Sequence, residues 1–485
     1  HGDSQFPVAS LANIGGVPLL KCRRMQGVDL VDEAKKSAHK AYSIIKRKGY
    51  TAFGVGRAVD EIVDCVLKDK QLTLPVSVRV PGKNCCLSLP CVVGFKGIHR
   101  ILEHVSNHFS AAETRLYKRS IMCMQEAVGS ALDLPEGRMQ RSVSLSVLGG
   151  PIEVEGAEDE EPKPGADLGD RAHTPDTDRL KGVHVAVIGA GFVGTSTAFA
   201  LLCAAVAGRV TMTDVNQEKC LGEVLDLEDG DGRVEMATPQ EAGQADIIVI
   251  TAGRGQRDGE TRLDLIKANA GIMKAVIGGM KPIKPTAKII VVSNPCDALT
   301  YVAQECSGLP MSQVFGSGTV LDSRRLKIAL AQRIGVSHES VNLFVLGEHG
   351  DSQFPVASLA NIGGVPLLKC RRMQGVDLVD EAKKSAHKAY SIIKRKGYTA
   401  FGVGRAVDEI VDCVLKDKQL TLPVSVRVPG KNCCLSLPCV VGFKGIHRIL
   451  EHVSNHFSAA ETRLYKRSIM CMQEAVGSAL DLPEG

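Results

Sequence analysis

The stretch Val183-His-Val-Ala-Val-Ile-Gly-Ala-Gly-Phe-Val-Gly194 decides the fold of this chain. Residues 183–188 form a short apolar run, which is typical of a buried parallel strand, and residues 193–207 have the composition of a helix. Glycines at the spacing G-x-G-x-x-G lie between the two elements. A strand, a glycine-rich turn and a helix in this order predict a dinucleotide-binding unit.

The glycines of this turn have separate physical roles. Gly189 permits the tight turn, Gly191 lets a pyrophosphate approach the backbone, and Gly194 lets helix and strand pack closely. The helix N-terminus then favours the anion. Asp214 closes the next strand at a distance that suits a ribose diol, and no basic residue follows it directly. We therefore predict NAD rather than NADP, and Asp214 argues against a glycine-rich turn of an unrelated α/β protein.

The chain beyond this turn alternates between strand and helix patterns. Further strands are predicted at residues 210–213, 247–251, 288–292 and 341–346, with helical runs between several of them. This alternation is typical of α/β proteins and predicts a doubly wound parallel sheet of the Rossmann type.

An identical repeat forms both ends of the chain, because residues 1–137 recur as residues 349–485. Within each copy the periodicity predicts an amphipathic helix, a strand-like run and a final helix. In the first copy the strand-like run covers residues 72–93, with breaks at Pro75, Gly82 and Pro90, and the final helix covers residues 97–132.

The segment between the copies has a different character. Residues 138–181 contain an acidic run followed by prolines and glycines, which predicts a flexible linker, with an acidic partner-binding tail as the alternative. We expect four parts: an incomplete, poorly packed duplicate at 1–137, the linker at 138–181, an NAD-binding domain at 182–320 and an α+β catalytic domain at 321–485.

Composition excludes several classes of function. Lys and Arg number 59 against 54 Asp and Glu, a balance too even to indicate nucleic-acid binding. No Cys-x-x-Cys pair occurs among the 16 cysteines, so we expect no metal site and interpret them as reduced thiols of a cytoplasmic protein. The most apolar window, residues 183–207, is interrupted by glycines and indicates a strand plus a helix rather than a membrane span.

Three polar residues form a candidate catalytic group. His349 follows the predicted strand 341–346, and lone histidines are usually structural or exposed. If residues 322–325 are helical, Asp322 and Arg325 share a face, which by itself would indicate a surface ion pair or a helix cap. A carboxylate can orient an imidazole and stabilise its protonated form, and an arginine can grip a carboxylate through two hydrogen bonds.

A charged, glycine-containing loop precedes Arg262. Residues 253–262 follow a predicted strand and include glycines that could act as hinges. The loop is either a solvated connection or a mobile lid that delivers an arginine to a bound substrate.

Five motifs together resemble the family of L-lactate dehydrogenases and their malate dehydrogenase relatives. They occur in the family's order across residues 182–485, and they make residues 1–137 a second copy of the family's C-terminal half. The motifs are Gly189-Ala-Gly-Phe-Val-Gly194, Gly259-Glu-Thr-Arg-Leu-Asp-Leu265, Ser293-Asn-Pro-Cys-Asp297, Gly316-Ser-Gly-Thr-Val-Leu-Asp-Ser323 and Gly347-Glu-His-Gly-Asp-Ser352.

The resemblance implies a role for each matching catalytic residue. His349 would be the proton donor and acceptor, and Asp322 would orient it. Arg325 would pair with the substrate carboxylate, while Arg262 would polarise the carbonyl as charge develops on its oxygen. Asn294 would lie near the nicotinamide and the substrate oxygen.

The resemblance also implies which residues line the substrate pocket. Thr399 would line it, and Gln256 occupies the lid position that carries Gln in lactate enzymes and Arg in malate enzymes. A buried neutral amide has nothing to offset a second carboxylate, so Gln256 favours lactate. Two departures occur: Gly255 replaces a polar or basic residue that contacts the cofactor, and Phe401 replaces a larger aromatic.

The function expected from this resemblance is NAD-dependent interconversion of L-lactate and pyruvate by hydride transfer. The alternatives are a malate-type 2-hydroxy acid dehydrogenase and a catalytically silent interaction protein on the same fold. The resemblance implies a small 2-hydroxy or 2-keto acid substrate and a homo-oligomer, a tetramer, with no nucleic-acid or membrane partner. We expect the contiguous copy to complete the enzyme, because His349 follows a strand and His1 begins at a chain end.

Overall fold

The computed structural model describes residues 5–8, 13–14, 17–18, 28–102, 106, 109–131, 182–257, 259–362 and 365–480. His1 and the predicted linker 138–181 lie outside these residues. The chain forms two compact units, residues 1–174 and 175–485, called here the N-terminal and C-terminal units. Among the described residues, no helix is both long and apolar enough to cross a bilayer.

The N-terminal unit contains one copy of the repeat. Its elements are β1 (Asn13–Ile14), β2 (Val17–Pro18), α1 (Leu30–Lys48), α2 (Phe53–Leu67), β3 (Leu72–Arg79), β4 (Cys86–Gly94), β5 (Gly97–Ile101) and α3 (Ala111–Ala131). Strands β3, β4 and β5 form an antiparallel sheet in that order. Its small core is built on Cys65, Cys91 and Val93.

Two sequence predictions for this copy are wrong. Pro75 and Pro90 do not break the strands but lie opposite each other in the β3–β4 pair. Residues 97–101 are a strand rather than the start of a helix. Gly97 has a φ of +84°, which glycine adopts readily in a tight hairpin turn, and this turn sends the chain back along β4.

The C-terminal unit opens with the NAD-binding half predicted from the sequence. Its elements are β6 (His184–Ile188), α4 (Phe192–Cys203), β7 (Arg209–Thr213), α5 (Gln217–Glu228), β8 (Val234–Met236), α6 (Pro239–Ala242), β9 (Ile247–Ile250), α7 (Arg262–Met280), β10 (Lys288–Val291), α8 (Cys296–Ser307) and β11 (Val314–Gly316).

These strands form a parallel sheet in the order β11-β10-β9-β6-β7-β8. Strands β9 and β10 are buried at every position, which explains their unbroken apolar sequences. The strand order reverses at β6, and ligands bind at such a switch point beyond the carboxyl ends of the strands. The predicted doubly wound fold is confirmed.

The catalytic half follows. Its elements are α9 (Val320–Ile334), β12 (Val341–Asn342), β13 (Val345–Leu346), β14 (Phe354–Pro355), β15 (Asn361–Ile362), β16 (Val365–Pro366), α10 (Leu378–Lys396), α11 (Phe401–Leu415), β17 (Leu420–Arg427), β18 (Cys434–Gly442), β19 (Gly445–Ile449) and α12 (Ala459–Leu480).

The catalytic half extends the NAD-binding sheet, which the sequence did not predict. Strand β17 pairs antiparallel with β11 through Gly316 and Ser425, and β18 and β19 follow, which gives nine strands in one sheet. A Cβ at Gly316 would lie 2.9 Å from the Ser425 Cβ and 2.4 Å from Thr300 Oγ1. Glycine therefore permits this close approach between the two halves.

The predicted strand 341–346 is wrong in detail. It is split into β12, which pairs with β15, and β13, which pairs with β14. Neither strand belongs to the nine-stranded sheet. The chain returns to that sheet only at Gly347, which bridges Ser436 of β18, so His349 is positioned by β13 and this bridge.

Candidate active site

The glycine-rich turn closes the carboxyl end of β6. Gly189 has a φ of +108°, and its backbone N–H donates to the Thr213 carbonyl at 2.8 Å. A Cβ at Gly194 would lie 1.8 Å from the Gly189 carbonyl oxygen, whereas a Cβ at Gly191 would meet nothing within 4 Å. The turn is therefore closed on its inner side at Gly194 and open at Gly191, as a backbone that receives a pyrophosphate requires.

Asp214 is fixed to this turn. Its Oδ2 accepts a hydrogen bond from the Ala190 N–H at 2.7 Å, and its Oδ1 accepts one from the Asn216 N–H at 2.8 Å. The next side chain, Val215, is fully exposed and carries no charge. An acid on the turn that is followed directly by an uncharged residue fits the ribose hydroxyls of NAD rather than a 2′-phosphate.

Substitution of Gly194 should lower stability, whereas substitution of Gly191 should lower NADH affinity. Gly194→Ala forces the turn apart, and we expect it to destabilise the protein by about 1–3 kcal/mol, as overpacking does. Gly191→Ala has room, so we expect an unchanged melting temperature with NADH affinity reduced by about tenfold or more, equivalent to about 1.4 kcal/mol. Thermal melting and NADH fluorescence titration measure both effects; equal NADH affinity in Gly191→Ala and the wild type would contradict this assignment.

Helix α9 carries the acid of the candidate catalytic group. Asp322 lies in its first turn, where the helix dipole stabilises a carboxylate. Ser323 connects the helix to β13, because its hydroxyl accepts a hydrogen bond from the Val345 N–H at 2.9 Å. Since β13 leads directly into residues 347–349, this link brings His349 to Asp322.

His349, Asp322 and Arg325 form one hydrogen-bonded group. His349 Nδ1 lies 2.8 Å from Asp322 Oδ2, and Arg325 Nη1 lies 3.4 Å from Asp322 Oδ1. Burial disfavours protonation of the imidazole, but the charge and hydrogen bond of Asp322 outweigh it and raise the pKa of His349 above 6.5. Burial works against ionisation of Asp322 as well, yet His349 and Arg325 hold the pKa of Asp322 below its usual value. The arrangement favours an imidazolium–carboxylate pair.

A second acid, Asp297, holds the backbone of His349, and the sequence reasoning missed it. The His349 N–H donates to Asp297 Oδ2 at 2.7 Å, and the Ser425 hydroxyl donates to Asp297 Oδ1 at 2.5 Å. Asp297 is buried, and this burial raises its pKa. The available signal was its place in Ser293-Asn-Pro-Cys-Asp297, directly after buried strand β10.

Arg262 is the first residue of helix α7. A capping box between Thr261 and Asp264 fixes this helix start. The Arg262 guanidinium pairs with the buried carboxylate of Glu348, the residue before His349. The Ser352 hydroxyl donates to the same carboxylate at 2.6 Å. Arg262 therefore connects the start of helix α7 to the loop of His349.

The loop residues before Arg262 are held by an ion pair within the loop. Arg254 Nη1 and Nη2 contact Glu260 at 2.6 and 2.7 Å, and this pairing lowers the pKa of Glu260 to about 2. Gln256 is exposed and donates to the Glu260 carbonyl at 2.6 Å. Gly255 is exposed as well, and Asp258 lies outside the described residues.

Asn294 and Thr399 lie on two further elements of the cleft. Asn294 precedes a cis peptide bond, and its carbonyl accepts from Asn269 Nδ2 at 2.7 Å. Thr399 follows Tyr398, whose ring stacks on Phe192 of the glycine-rich turn with centroids 3.8 Å apart. The start of α11 is thereby attached to the cofactor turn.

The structure thus brings the predicted residues together to different degrees. Asp322 contacts both His349 and Arg325, Arg262 pairs with Glu348 next to His349, and Gln256 lies on the loop of residues 253–262. Within the described ranges, no group of three or more His, Cys, Asp or Glu residues could hold a metal ion.

Two family descriptions match the chain. Residues 183–316 match the lactate/malate dehydrogenase NAD binding domain. Residues 1–127 and, again, residues 319–474 match the lactate/malate dehydrogenase alpha/beta C-terminal domain. The C-terminal domain is therefore present twice, once on each side of a single NAD-binding domain.

Individual relatives agree with this match. L-lactate dehydrogenase A of Rhizopus oryzae is 40% identical over 304 residues, which cover 62% of this chain and 94% of the relative. L-lactate dehydrogenase 2 of Enterococcus faecalis is 37% identical over 308 residues, 61% of this chain and 96% of the relative. The crystal structure of the minor L-lactate dehydrogenase of Enterococcus mundtii superposes with a TM-score of 0.59 at 34% identity, covering 61% of this chain and 98% of that one.

Proposed function

Because the chain belongs to the lactate/malate dehydrogenase family, we propose that its C-terminal unit is the NAD-dependent L-lactate dehydrogenase, with His349 as its acid and base. The hydrogen bond between His349 and Asp322 is the observation that carries the assignment. NAD is the cofactor of this family's N-terminal domain, and the turn of Gly189, Gly191 and Gly194 with Asp214 would hold it.

Proton transfer is the task of His349. The nicotinamide cofactor, when held by the glycine-rich turn and Asp214, would supply a hydride to the substrate's second carbon as NADH or accept one from it as NAD⁺. During pyruvate reduction, protonated His349 gives its Nε2 proton to the carbonyl oxygen, and during lactate oxidation neutral His349 takes the hydroxyl proton. Asp322 holds the proton on Nδ1, which directs Nε2 to the substrate, and stabilises the imidazolium.

Two arginines handle the negative charges of the substrate. Arg325, next to Asp322, pairs with the substrate carboxylate through its planar fork of donors. Arg262 is held by Glu348 in the present conformation; on lid closure it reaches the carbonyl oxygen, where negative charge develops. Gln256 closes over the substrate methyl group, while Asn294 and Thr399 line the remaining walls.

The raised pKa of His349 predicts opposite pH profiles for the two directions. Pyruvate reduction needs the protonated imidazole, so its kcat/KM is constant below the raised pKa and falls about tenfold per pH unit above it. Lactate oxidation needs the neutral form and rises over the same range. Asp322→Asn removes the charge that raises the pKa, so both profiles move to lower pH. Profiles of residual activity measure this shift, and an unchanged midpoint in the variant would refute the coupling.

The test of the proposed substrate is a comparison of NADH oxidation with pyruvate and with oxaloacetate. We expect a higher kcat/KM for pyruvate, because the lid carries the neutral Gln256 where an arginine would pair with a second carboxylate. A clear preference for oxaloacetate would replace lactate by malate. The absence of NADH oxidation with either acid, despite NADH binding, would favour a silent interaction protein.

We also propose that the C-terminal unit assembles as a homo-oligomer, a tetramer by resemblance to the family, and that the protein works in the cytoplasm. The described cysteines are free thiols, several of them buried, as suits a reducing compartment. Within this unit we propose an NAD-binding domain at residues 182–320 and a catalytic domain at residues 321–485. Light scattering of the purified chain measures the assembly.

A further inference from the structure

One helix sequence occurs in this chain in two environments. Helices α2 and α11 have the same sequence, Phe-Gly-Val-Gly-Arg-Ala-Val-Asp-Glu-Ile-Val-Asp-Cys-Val-Leu. In α11 the side chains of Val407, Ile410 and Val411 are fully buried, at 0% exposure. Their counterparts in α2, which are Val59, Ile62 and Val63, are 53%, 37% and 47% exposed. Since the sequence is the same, the difference comes from what packs against it.

The C-terminal unit shows what covers the side of α11 that carries Val407, Ile410 and Val411. A Cβ at Gly404 of α11 would lie 2.6 Å from the Ser196 carbonyl oxygen of α4, so the two helices are in close contact there. Strand β17 pairs with β11 at Ser425. The side of α11 that matches the exposed side of α2, and the edge of β17, therefore both face the NAD-binding half. In the N-terminal unit, a Cβ at Gly56 would meet nothing within 4 Å.

The α2/β3 face is defined here as Val55, Val59, Ile62 and Val63 of α2 together with strand β3. The four side chains are large, apolar and exposed, and they recur at helical spacing along one side of α2. Strand β3 is the end strand of its described sheet, which leaves one row of its backbone groups available for pairing. An exposed apolar surface beside a sheet edge is typical of an association site.

The number of domains excludes this chain's own NAD-binding half as a lasting partner. Each chain contains one NAD-binding domain but two copies of the C-terminal domain. If the two copies exchanged places, one of them would still be uncovered, so exchange buries no additional apolar surface. The α2/β3 face of a second chain is left without an NAD-binding partner for the same reason, and it is the occupant that this count favours.

The charges on α2 allow such a pairing. Arg57 pairs with Asp60 at 2.6 Å within the helix, and Asp64 pairs with Lys68 and Lys70 at 2.6 and 2.5 Å. Asp60 and Asp64 of α2 are thus neutralised within their own chain, so these two acids add little repulsion when a second copy approaches. The unfilled space at Gly56 lets the backbones come close.

We propose that two chains associate through their α2/β3 faces about a two-fold axis, helix against helix and β3 beside β3. A self-complementary patch of this kind gives a closed isologous pair. The helix is about 22 Å long and β3 about 27 Å, so the pair would bury roughly 1,000 Å², near the lower limit for a specific interface. The association is therefore reversible.

The test compares the full-length chain with the Val59→Glu/Val63→Glu variant by sedimentation velocity over a range of concentrations. We expect the wild-type mass to double with rising concentration and the variant to remain at the lower mass, with at least a tenfold weaker association constant. Met122→Glu, a change at an exposed residue of α3 outside the face, should sediment like the wild type. Activity with pyruvate, read in parallel, should be the same in all three and so reports separately on the proposed enzyme.

A charge-complement experiment separates loss of the interface from loss of folding. Mixing Val59→Glu/Val63→Glu with Val59→Lys/Val63→Lys should restore the doubled mass, which misfolded chains could not do. The proposal is overturned if the wild type shows no concentration-dependent doubling, or if the glutamate variant doubles as readily. Doubling that is abolished equally by Met122→Glu would overturn it as well.

Discussion

Replacing His349 by asparagine is expected to lower kcat for pyruvate reduction by about 10²–10⁴-fold, the usual contribution of a general acid. Asparagine keeps a donor near Asp322 but has no proton to transfer at the working pH. NADH binding should be unchanged, because the glycine-rich turn and Asp214 make no hydrogen bond to His349. Stopped-flow measurement of NADH oxidation and a separate NADH titration distinguish the two steps.

The duplicated sequence supplies the matched control for this substitution. His1→Asn changes the identical position of the first copy and should leave kcat as it is in the wild type. If His1→Asn abolished turnover and His349→Asn did not, the catalytic histidine would belong to the N-terminal copy, and the whole assignment of the C-terminal unit would be wrong.

Gln256→Arg is expected to reverse the substrate preference. An arginine closed over the methyl group of pyruvate would be a buried charge without a partner, which costs about 3–5 kcal/mol, whereas the second carboxylate of oxaloacetate would pair with it. The ratio of kcat/KM for pyruvate to that for oxaloacetate should therefore fall by about 10²–10³-fold. Steady-state NADH oxidation with the two acids gives this ratio.

A neighbouring lid residue provides the comparison for that experiment. Arg257→Gln removes a charge from the same loop, and we expect the ratio for the two acids to change far less than in Gln256→Arg. A Gln256→Arg enzyme that kept the wild-type ratio would show that residue 256 does not face the substrate's third carbon. The specificity would then have to come from another wall of the pocket.

Much of the NAD-binding half could be predicted, because its signals are local. The apolar run before Gly189, the glycine spacing and Asp214 each follow from the geometry of one turn, and the structure places Asp214 on that turn through the Ala190 N–H. Asp322 and Arg325 were predictable for the same reason, since residues three apart in a helix share a face.

What could not be predicted depends on contacts distant in sequence. The pairing of Gly316 with Ser425 and the bond from the His349 N–H to Asp297 join residues that no periodicity relates. Pro75 and Pro90 indicate strand breaks in the sequence, because proline lacks an N–H. In the structure they lie opposite each other in the β3–β4 pair. A single sequence does not show which strands pair or in which register.

The nine-stranded sheet has a consequence for motion during turnover. Since backbone hydrogen bonds connect the strand that ends in the cofactor turn to the strands that brace the histidine loop, we expect the two sides of the cleft to move little relative to each other. We therefore expect enclosure of the substrate to depend on the loop that contains Arg254 and Glu260. We expect the release of the contact between these two side chains, rather than a rotation of domains, to limit how fast this loop opens and closes.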